Sequence, residues 1–169
     1  MGCVAVAPGL APPSTGDSGS WGGNMDFNEI VEGATVYLPV NVSGALLYIG
    51  DGHAAQGDGE PNGDALETSM DVEFNVDVIP GKRIMGPRVE STTQIMAIGL
   101  GGSLDDAFRE ATSSMADWLT NDYKLTPSEL AQVLGSAAEY KVSEVADRNA
   151  GIILKLNKER LRPLTPEPN

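Results

Sequence analysis

The sequence predicts a mainly β or α+β protein, with β-sandwich-like sheets followed by a C-terminal pair of helices. Three observations lead to this prediction. Twenty glycines and eleven prolines among 169 residues indicate many turns. Short runs with β-propensity extend as far as residue 98, and apolar residues then recur at helical spacing in two later segments. Strands first and helices late are typical of an α+β domain. The chain length suits a single domain over residues 1–169.

The N-terminal part of the chain begins with a predicted loop. Residues 7–24 are rich in proline, glycine and serine and show no hydrophobic period, which predicts irregular structure. Two runs with β-propensity follow at 35–40 and 45–49. Because only a short connection separates them, we expect these runs to pair as a hairpin.

The middle of the chain carries the clearest strand pattern. The pattern spans residues 66–79, and apolar residues alternate strictly with polar ones over 71–78. The apolar residues of this stretch are Val72, Phe74, Val76 and Val78. This period of two predicts a strand with one buried face and one solvated face. Weaker strand patterns span residues 83–89 and 92–98.

The C-terminal part changes to helical patterns. Apolar residues spaced by three and four predict a helix over 104–119, and Ser103 is a suitable N-cap. The sequence Thr-Pro-Ser-Glu at 126–129 is a capping box with proline at the first helical position, which predicts the start of a second helix. A final strand is predicted at 152–156, and residues 162–169 form a proline-rich tail that we expect to fray.

The charge balance excludes several classes of partner. The net charge is −13 and the isoelectric point is near 4.3. Nucleic acid and anionic membrane surfaces are therefore not expected as partners, because both require clustered lysine and arginine. No apolar stretch is long enough to predict a membrane span. Cys3 is the only cysteine, so we expect no intramolecular disulfide and a location in the reducing cytoplasm.

The segment most indicative of function is 50–60, which contains the only histidine, His53. Its glycines allow sharp backbone bends, so that short polar side chains can converge. Asp51 and His53 are two residues apart and would face one side of an extended strand. Asp58 and Glu60 have the same spacing. An imidazole with carboxylates suits zinc, an oxygen-rich set suits calcium, and both suit acid–base chemistry. The alternative is a solvated acidic turn.

Two amide side chains are candidates for substrate contact. Asn24 follows two glycines, and its amide could polarise a substrate carbonyl or hold an oxyanion. The alternative for Asn24 is an Asx turn that ends the predicted loop. Gln56 has the same two interpretations, as a partner of a substrate amide or as an ordinary loop residue.

Long motifs then point to one protein family. The first runs Gly-Gly-Asn-Met-Asp-Phe-Asn-Glu-Ile-Val-Glu-Gly-Ala-Thr-Val-Tyr-Leu-Pro-Val at 22–40. The second is Gly-Asp-Gly-His-Ala-Ala-Gln-Gly-Asp-Gly-Glu at 50–60, followed by Ala-Leu-Glu at 65–67. The third is Asp-Tyr-Lys-Leu-Thr-Pro-Ser-Glu at 122–129. Through these motifs the sequence resembles the acetamidase/formamidase family over nearly its whole length.

The resemblance implies the hydrolysis of a short-chain amide, such as formamide or acetamide, to a carboxylate and ammonia. It also implies a mainly β fold, a metal site and a homo-oligomer. For this metal we expect a divalent ion, zinc rather than calcium. In this interpretation the metal is held by His53 together with Asp51, Asp58 or Glu60.

The remaining site residues would carry out the chemistry. Glu60 or Asp26 would take the proton from water and pass it to the leaving amine. Asn24 or Gln56 would stabilise the oxyanion.

Two departures from the family pattern define an alternative function. Family members are longer, and the chain begins near what resembles the family's midpoint, so the β-rich N-terminal half is expected to be absent. Trp21 stands where relatives often have histidine. The alternative is a truncated homologue that keeps the fold and binds a metal or another ligand without turnover.

Overall fold

The computed structural model describes residues 1–9 and 11–162, so the predicted tail lies outside the described residues except for Arg162. The strands of the first half are β1 (Cys3–Ala5), β2 (Ser18–Gly19), β3 (Gly22–Asn24), β4 (Thr35–Tyr37), β5 (Tyr48–Gly50), β6 (His53–Ala55) and β7 (Leu66–Glu67). The second half contains β8 (Arg88–Glu90), β9 (Gln94–Gly101), α1 (Leu104–Asn121), α2 (Pro127–Ala137), β10 (Glu139–Glu144), β11 (Ala150–Asn157) and α3 (Lys158–Leu161).

The strands form two larger antiparallel sheets and one small one. The first sheet has the order β2-β3-β1-β5, and the second has the order β10-β11-β9-β8-β4. Strands β6 and β7 pair separately, with His53 opposite Glu67. The centre of the second sheet is the long pair β9–β11, which is in register from Gln94–Asn157 to Gly101–Ala150.

The central strand β9 is apolar on both faces because a layer covers each face. Met96 and Ile98 belong to the core cluster that also contains Val4 of the first sheet. Ile95 and Ala97 belong to the other core cluster, which contains the buried side chains of α1. This alternation follows from the period of two along a strand. The molecule therefore has three layers: the first sheet, the second sheet and the helices.

The two predicted helices are confirmed, together with their start signals. The Ser103 side chain accepts a hydrogen bond from the Asp106 amide at the start of α1. The capping box between Thr126 and Glu129 is present at the start of α2. Helix α1 packs closely on β9, since a Cβ atom at Gly99 would lie 2.0 Å from the Ala107 carbonyl oxygen. No described helix combines the length and the apolar character needed to cross a membrane.

The predicted hairpin between 35–40 and 45–49 is wrong. Strand β4 pairs with β8, with Val36 opposite Val89, whereas β5 pairs with β1, with Ile49 opposite Val4. The two runs therefore enter different sheets. The predicted loop 7–24 likewise ends in the short strands β2 and β3.

The predicted strand at 66–79 is also wrong over most of its length, because only its first two residues form a strand, β7. No backbone hydrogen bond joins residues 71–77 to other described backbone groups, and Val72, Phe74, Val76 and Val78 are 42–65% exposed. An alternating pattern can form a half-buried strand only where another strand and a covering layer are present. Neither lies beside this segment in the part of the chain that the structure describes. We refer to residues 70–79 as the exposed arm.

Candidate active site

The candidate site is centred on His53, in β6 immediately after the first sheet ends at Gly50. Its side chain is only 5% exposed. The Nε2 atom faces four carboxylates, and the distances are 3.2 Å to Asp51 Oδ1, 3.5 Å to Glu67 Oε1, 3.9 Å to Asp26 Oδ1 and 3.9 Å to Glu60 Oε1. The structure thus brings together most of the residues of segment 50–60 that the sequence predicted to form a site.

The side chain of Gln56 determines which ring nitrogen of His53 carries hydrogen. Gln56 Nε2 lies 2.5 Å from the Asp26 carbonyl oxygen and 3.4 Å from that of Ser143. Since both partners are acceptors, this atom is the donating nitrogen. Gln56 Oε1 therefore accepts a hydrogen bond from His53 Nδ1 at 3.0 Å. In the neutral ring, Nε2 is left with its lone pair facing the carboxylates, as in metal-binding histidines.

Three site carboxylates stand on strained backbone. The φ angles are 42° at Asp26, 62° at Asp51 and 39° at Glu60. These values lie in the left-handed region, which is unfavourable for residues with a Cβ atom. Hydrogen bonds hold the strained conformations, for example from the Asp26 amide to the Gly2 carbonyl at 3.1 Å. Such strain concentrates at functional sites, where surrounding structure enforces it.

Burial makes the acidic groups of the cluster reluctant to ionise. Asp26, Glu60 and Glu144 are 1%, 5% and 0% exposed. Burial, reinforced by the neighbouring carboxylates, raises the pKa of Asp26 to about 8. Burial raises the pKa of Glu60 to about 7 against the opposing effect of His53. Burial likewise raises the pKa of Glu144.

The pKa of His53 shifts in the direction that favours the charged ring. Burial acts to lower it, but the hydrogen bond to Gln56 and the charges of Asp51 and Glu67 outweigh burial and raise the pKa. The imidazole therefore lies in a strongly negative environment.

The donor set fits a divalent cation. Donor atoms lie within 4.8 Å of one another in three overlapping groups, which are Asp26–Asp51–His53, His53–Glu60–Glu67 and Asp26–Glu60–Glu144. Among the described residues, the buried oxygens Asp26 Oδ1 and Glu144 Oε2 have no hydrogen-bond partner. Burying such oxygens without compensation is costly, and a cation would supply that compensation.

Asp58 lies apart from this cluster. Its side chain is 63% exposed and lies 3.0 Å from Lys141 Nζ. It also accepts a hydrogen bond of 3.2 Å from Asn28 Nδ2. These contacts lower the pKa of Asp58, in contrast to the buried acids. The structure therefore does not bring Asp58 to the proposed metal ligands.

The model of the acetamidase/formamidase family matches residues 14–148. The chain belongs to the acetamidase/formamidase family. This membership confirms the resemblance found in the sequence motifs.

Individual members of the acetamidase/formamidase family show how far the likeness extends. An acetamidase from Mycolicibacterium smegmatis is 43% identical over 61 residues, which is 36% of this chain and 15% of that protein. The solved structure of a predicted acetamidase/formamidase from Thermoanaerobacter tengcongensis has a TM-score of 0.91 and 34% identity over 96% of this chain and 54% of that one. An acetamidase structure from Bacillus halodurans has a TM-score of 0.90 and 35% identity, covering 96% and 55%.

These likenesses confirm the predicted mainly β, α+β fold. They also show that this family member spans about half the length of the solved relatives.

Both predicted amide residues are engaged within the protein. Asn24 Nδ2 donates to Asp26 Oδ2 at 2.6 Å and to Asp147 Oδ2 at 2.9 Å. Gln56 accepts a hydrogen bond from His53 through Oε1 and donates to backbone carbonyls through Nε2. In this family member the side-chain NH2 groups of both amides are therefore already hydrogen-bonded to neighbouring groups.

Sequence reasoning missed Glu67, Glu144 and Asp147. Glu67 lies opposite His53 across the β6–β7 pair, and its place in the motif Ala-Leu-Glu was a usable signal. Glu144 ends β10, and its Oε1 atom accepts a hydrogen bond from the Asp147 amide. Nothing in the local pattern around Glu144 and Asp147 indicates a site, because only the tertiary fold brings Glu144 to Asp26 and Asp147 to Asn24.

Proposed function

We propose that this family member hydrolyses short-chain amides of the formamide or acetamide type to a carboxylate and ammonia. The observation that carries the proposal is the arrangement of His53, with Nδ1 held by Gln56 and Nε2 turned to four carboxylates. The activities for which these relatives are named, acetamidase and acetamidase/formamidase, support the substrate class.

We propose that His53 Nε2, Asp51 and Asp26 hold a divalent cation, zinc rather than calcium. An imidazole nitrogen supports zinc, because calcium prefers six to eight oxygen ligands. When bound, such a cation polarises an amide carbonyl and lowers the pKa of water. The buried, unpartnered Asp26 Oδ1 supports its place among the ligands.

The other residues would move protons and hold the ligands in place. Glu60 is suited to take a proton from water and pass it to the leaving amine, since its pKa is about 7. Asn24 would orient Asp26 and Gln56 would orient His53, because their donors are already engaged in these contacts. These positioning roles replace the oxyanion role that the sequence suggested for the two amides.

The experiment measures metal content and ammonia release from formamide and acetamide. His53→Ala is expected to lose bound zinc and at least about 100-fold in rate. Asp51→Asn and Asp58→Asn form a matched pair, because only Asp51 lies in the cluster. The first should weaken zinc binding and the second should not. Undiminished ammonia release by His53→Ala would refute the mechanism, and equal effects of the matched pair would refute the ligand set.

A second candidate function is cation binding without turnover. One observation favours it: both candidate amide donors are already engaged in contacts within the protein. A protein that retains stoichiometric zinc through gel filtration, yet releases no ammonia from either amide, would establish this alternative.

We also propose that the protein is a homo-oligomer and is located in the cytoplasm. The exposed arm supports self-association, because exposed apolar side chains concentrated in one segment mark interaction surfaces. Sedimentation should show a dimer or larger species that Val76→Asp dissociates, whereas a monomeric wild type would refute this. The buried free thiol of Cys3 supports a reducing compartment. Cell fractionation tests that location.

A further inference from the structure

We propose that Gly2 is a positioning residue that sets the spacing between the carboxylates of Asp26 and Asp51. The inference rests on the proposed function only in taking these two side chains as cation ligands. Its evidence is the packing around a residue that has no side chain of its own.

The backbone of Gly2 connects the two segments that carry these carboxylates. The Gly2 amide donates to the Asp51 carbonyl at 2.8 Å. The Gly2 carbonyl accepts from the Met25 amide at 3.0 Å and from the Asp26 amide at 3.1 Å. The next residue, Cys3, continues this bridge in β1, where it lies opposite Asn24 on one side and Gly50 on the other.

The space beside the Gly2 Cα atom is filled by the carboxylates themselves. A Cβ atom at this position would lie 2.3 Å from Asp51 Oδ2 and 2.5 Å from Asp26 Oδ1, below the 3.0 Å that real Cβ contacts respect. Gly2 is not among the glycines with positive φ, so an alanine would not strain the backbone. The structure therefore requires glycine for the close approach of two side chains.

The carboxylates would yield to a methyl group at Gly2 more easily than the backbone would. The backbone of Gly2 is held by three hydrogen bonds, whereas the crowding atoms are the ends of two side chains. One of them, Asp26 Oδ1, lies 3.9 Å from His53 Nε2, and the other belongs to the carboxylate that lies 3.2 Å from the same nitrogen. A methyl group would therefore change the site geometry while leaving the sheet intact.

The test compares Gly2→Ala with Gly50→Ala. Gly50 immediately precedes Asp51 and has no positive φ, and a Cβ atom there would meet nothing within 4 Å. The first readout is the NMR signal of the His53 ring in metal-free protein, which is unambiguous because the chain has one histidine. The second is Co²⁺ affinity from the visible spectrum. Gly2→Ala should shift the ring signal and weaken Co²⁺ binding about 10-fold or more. Gly50→Ala should do neither.

The inference would be overturned if Gly2→Ala showed the same His53 ring signals and the same Co²⁺ affinity as the wild type. If the wild type itself binds no Co²⁺, the proposed cation site fails, and the His53 signal alone still decides the role of Gly2. If Gly2→Ala does not fold, the crowding predicts that adding Asp51→Ala restores a cooperative thermal unfolding transition. A double variant no more stable than Gly2→Ala would also overturn the inference.

Discussion

Replacing Asp26 by asparagine should remove much of the pH dependence of stability in the metal-free protein. Asp26 is 1% exposed and has three other carboxylates as neighbours, which are Glu60, Asp51 and Glu144. Burial and these charges raise its pKa from 3.8 to about 8. Asparagine keeps the shape of the side chain and can still accept the hydrogen bond from Asn24, but it does not ionise.

The sign and the size of the effect follow from the two pKa values of Asp26. In the unfolded chain its carboxyl ionises near pH 3.8, whereas in the folded protein it stays protonated up to about pH 8. Unfolding between these values releases a proton, so the free energy of unfolding falls as pH rises. At about 1.4 kcal/mol per pH unit, the loss from pH 5 to pH 8 is on the order of 4 kcal/mol. This is a large part of the stability of a small domain, about 5–15 kcal/mol.

The assay is urea unfolding at pH 5 and pH 8 with a chelator present. The wild type should be less stable at pH 8, and Asp26→Asn should lose on the order of 4 kcal/mol less over this interval. In Asp26→Asn the free energy of unfolding should still fall with pH, but less steeply, because the pKa of Glu60 is also raised, from 4.5 to about 7. Asp58→Asn is the control: contacts with Lys141 and Asn28 lower the pKa of Asp58, so its contribution is lost only in more acidic solution. An unchanged slope in Asp26→Asn would refute the reasoning.

Three further predictions concern the site and the core. Gln56→Leu should weaken Co²⁺ binding about 10- to 100-fold in a spectroscopic titration, because His53 loses the hydrogen-bond partner of Nδ1. Unchanged affinity would contradict the assignment of the hydrogen to Nδ1 of His53. Asp51→Gly should raise the free energy of unfolding by about 1 kcal/mol in urea, because it relieves a φ of 62° and like-charge repulsion, while Co²⁺ binding is lost. Leu154→Ala should cost about 2–5 kcal/mol in thermal unfolding, since Leu154 is fully buried beneath the helices, whereas the exposed Val78→Ala should change little.

Those parts of the fold that depend on neighbouring residues could be predicted from the sequence. The starts of α1 and α2 are set by Ser103 and by the capping box at Thr126, and these signals operate within one helical turn. The apolar strand at 152–156 lies within β11. The exposed arm shows the limit of such patterns. Alternation in sequence reports that a segment is amphipathic, but not whether another strand and a covering layer are available.

The candidate site, like the fold, could be predicted from the sequence only in its local part. The loop 50–60 supplies His53, Asp51 and Glu60 from one short segment rich in glycine, so spacing alone indicated the cluster. Glu144 and Gly2 reach the cluster through long-range strand pairing, which no local pattern encodes. Asn24 and Gln56 were recognised, but their roles depend on where their hydrogen bonds go.

The bridge from Asn24 to Asp147 has a consequence for folding kinetics. This hydrogen bond joins residues separated by 123 positions, so the cluster is complete only after the end of β10 has docked beside the first sheet. Contacts of such sequence separation are expected to form late, because chain closure must precede them. A cation that requires the complete cluster should therefore leave the refolding rate nearly unchanged and slow unfolding instead. In this protein the bound ion would therefore give the native state kinetic stability against unfolding.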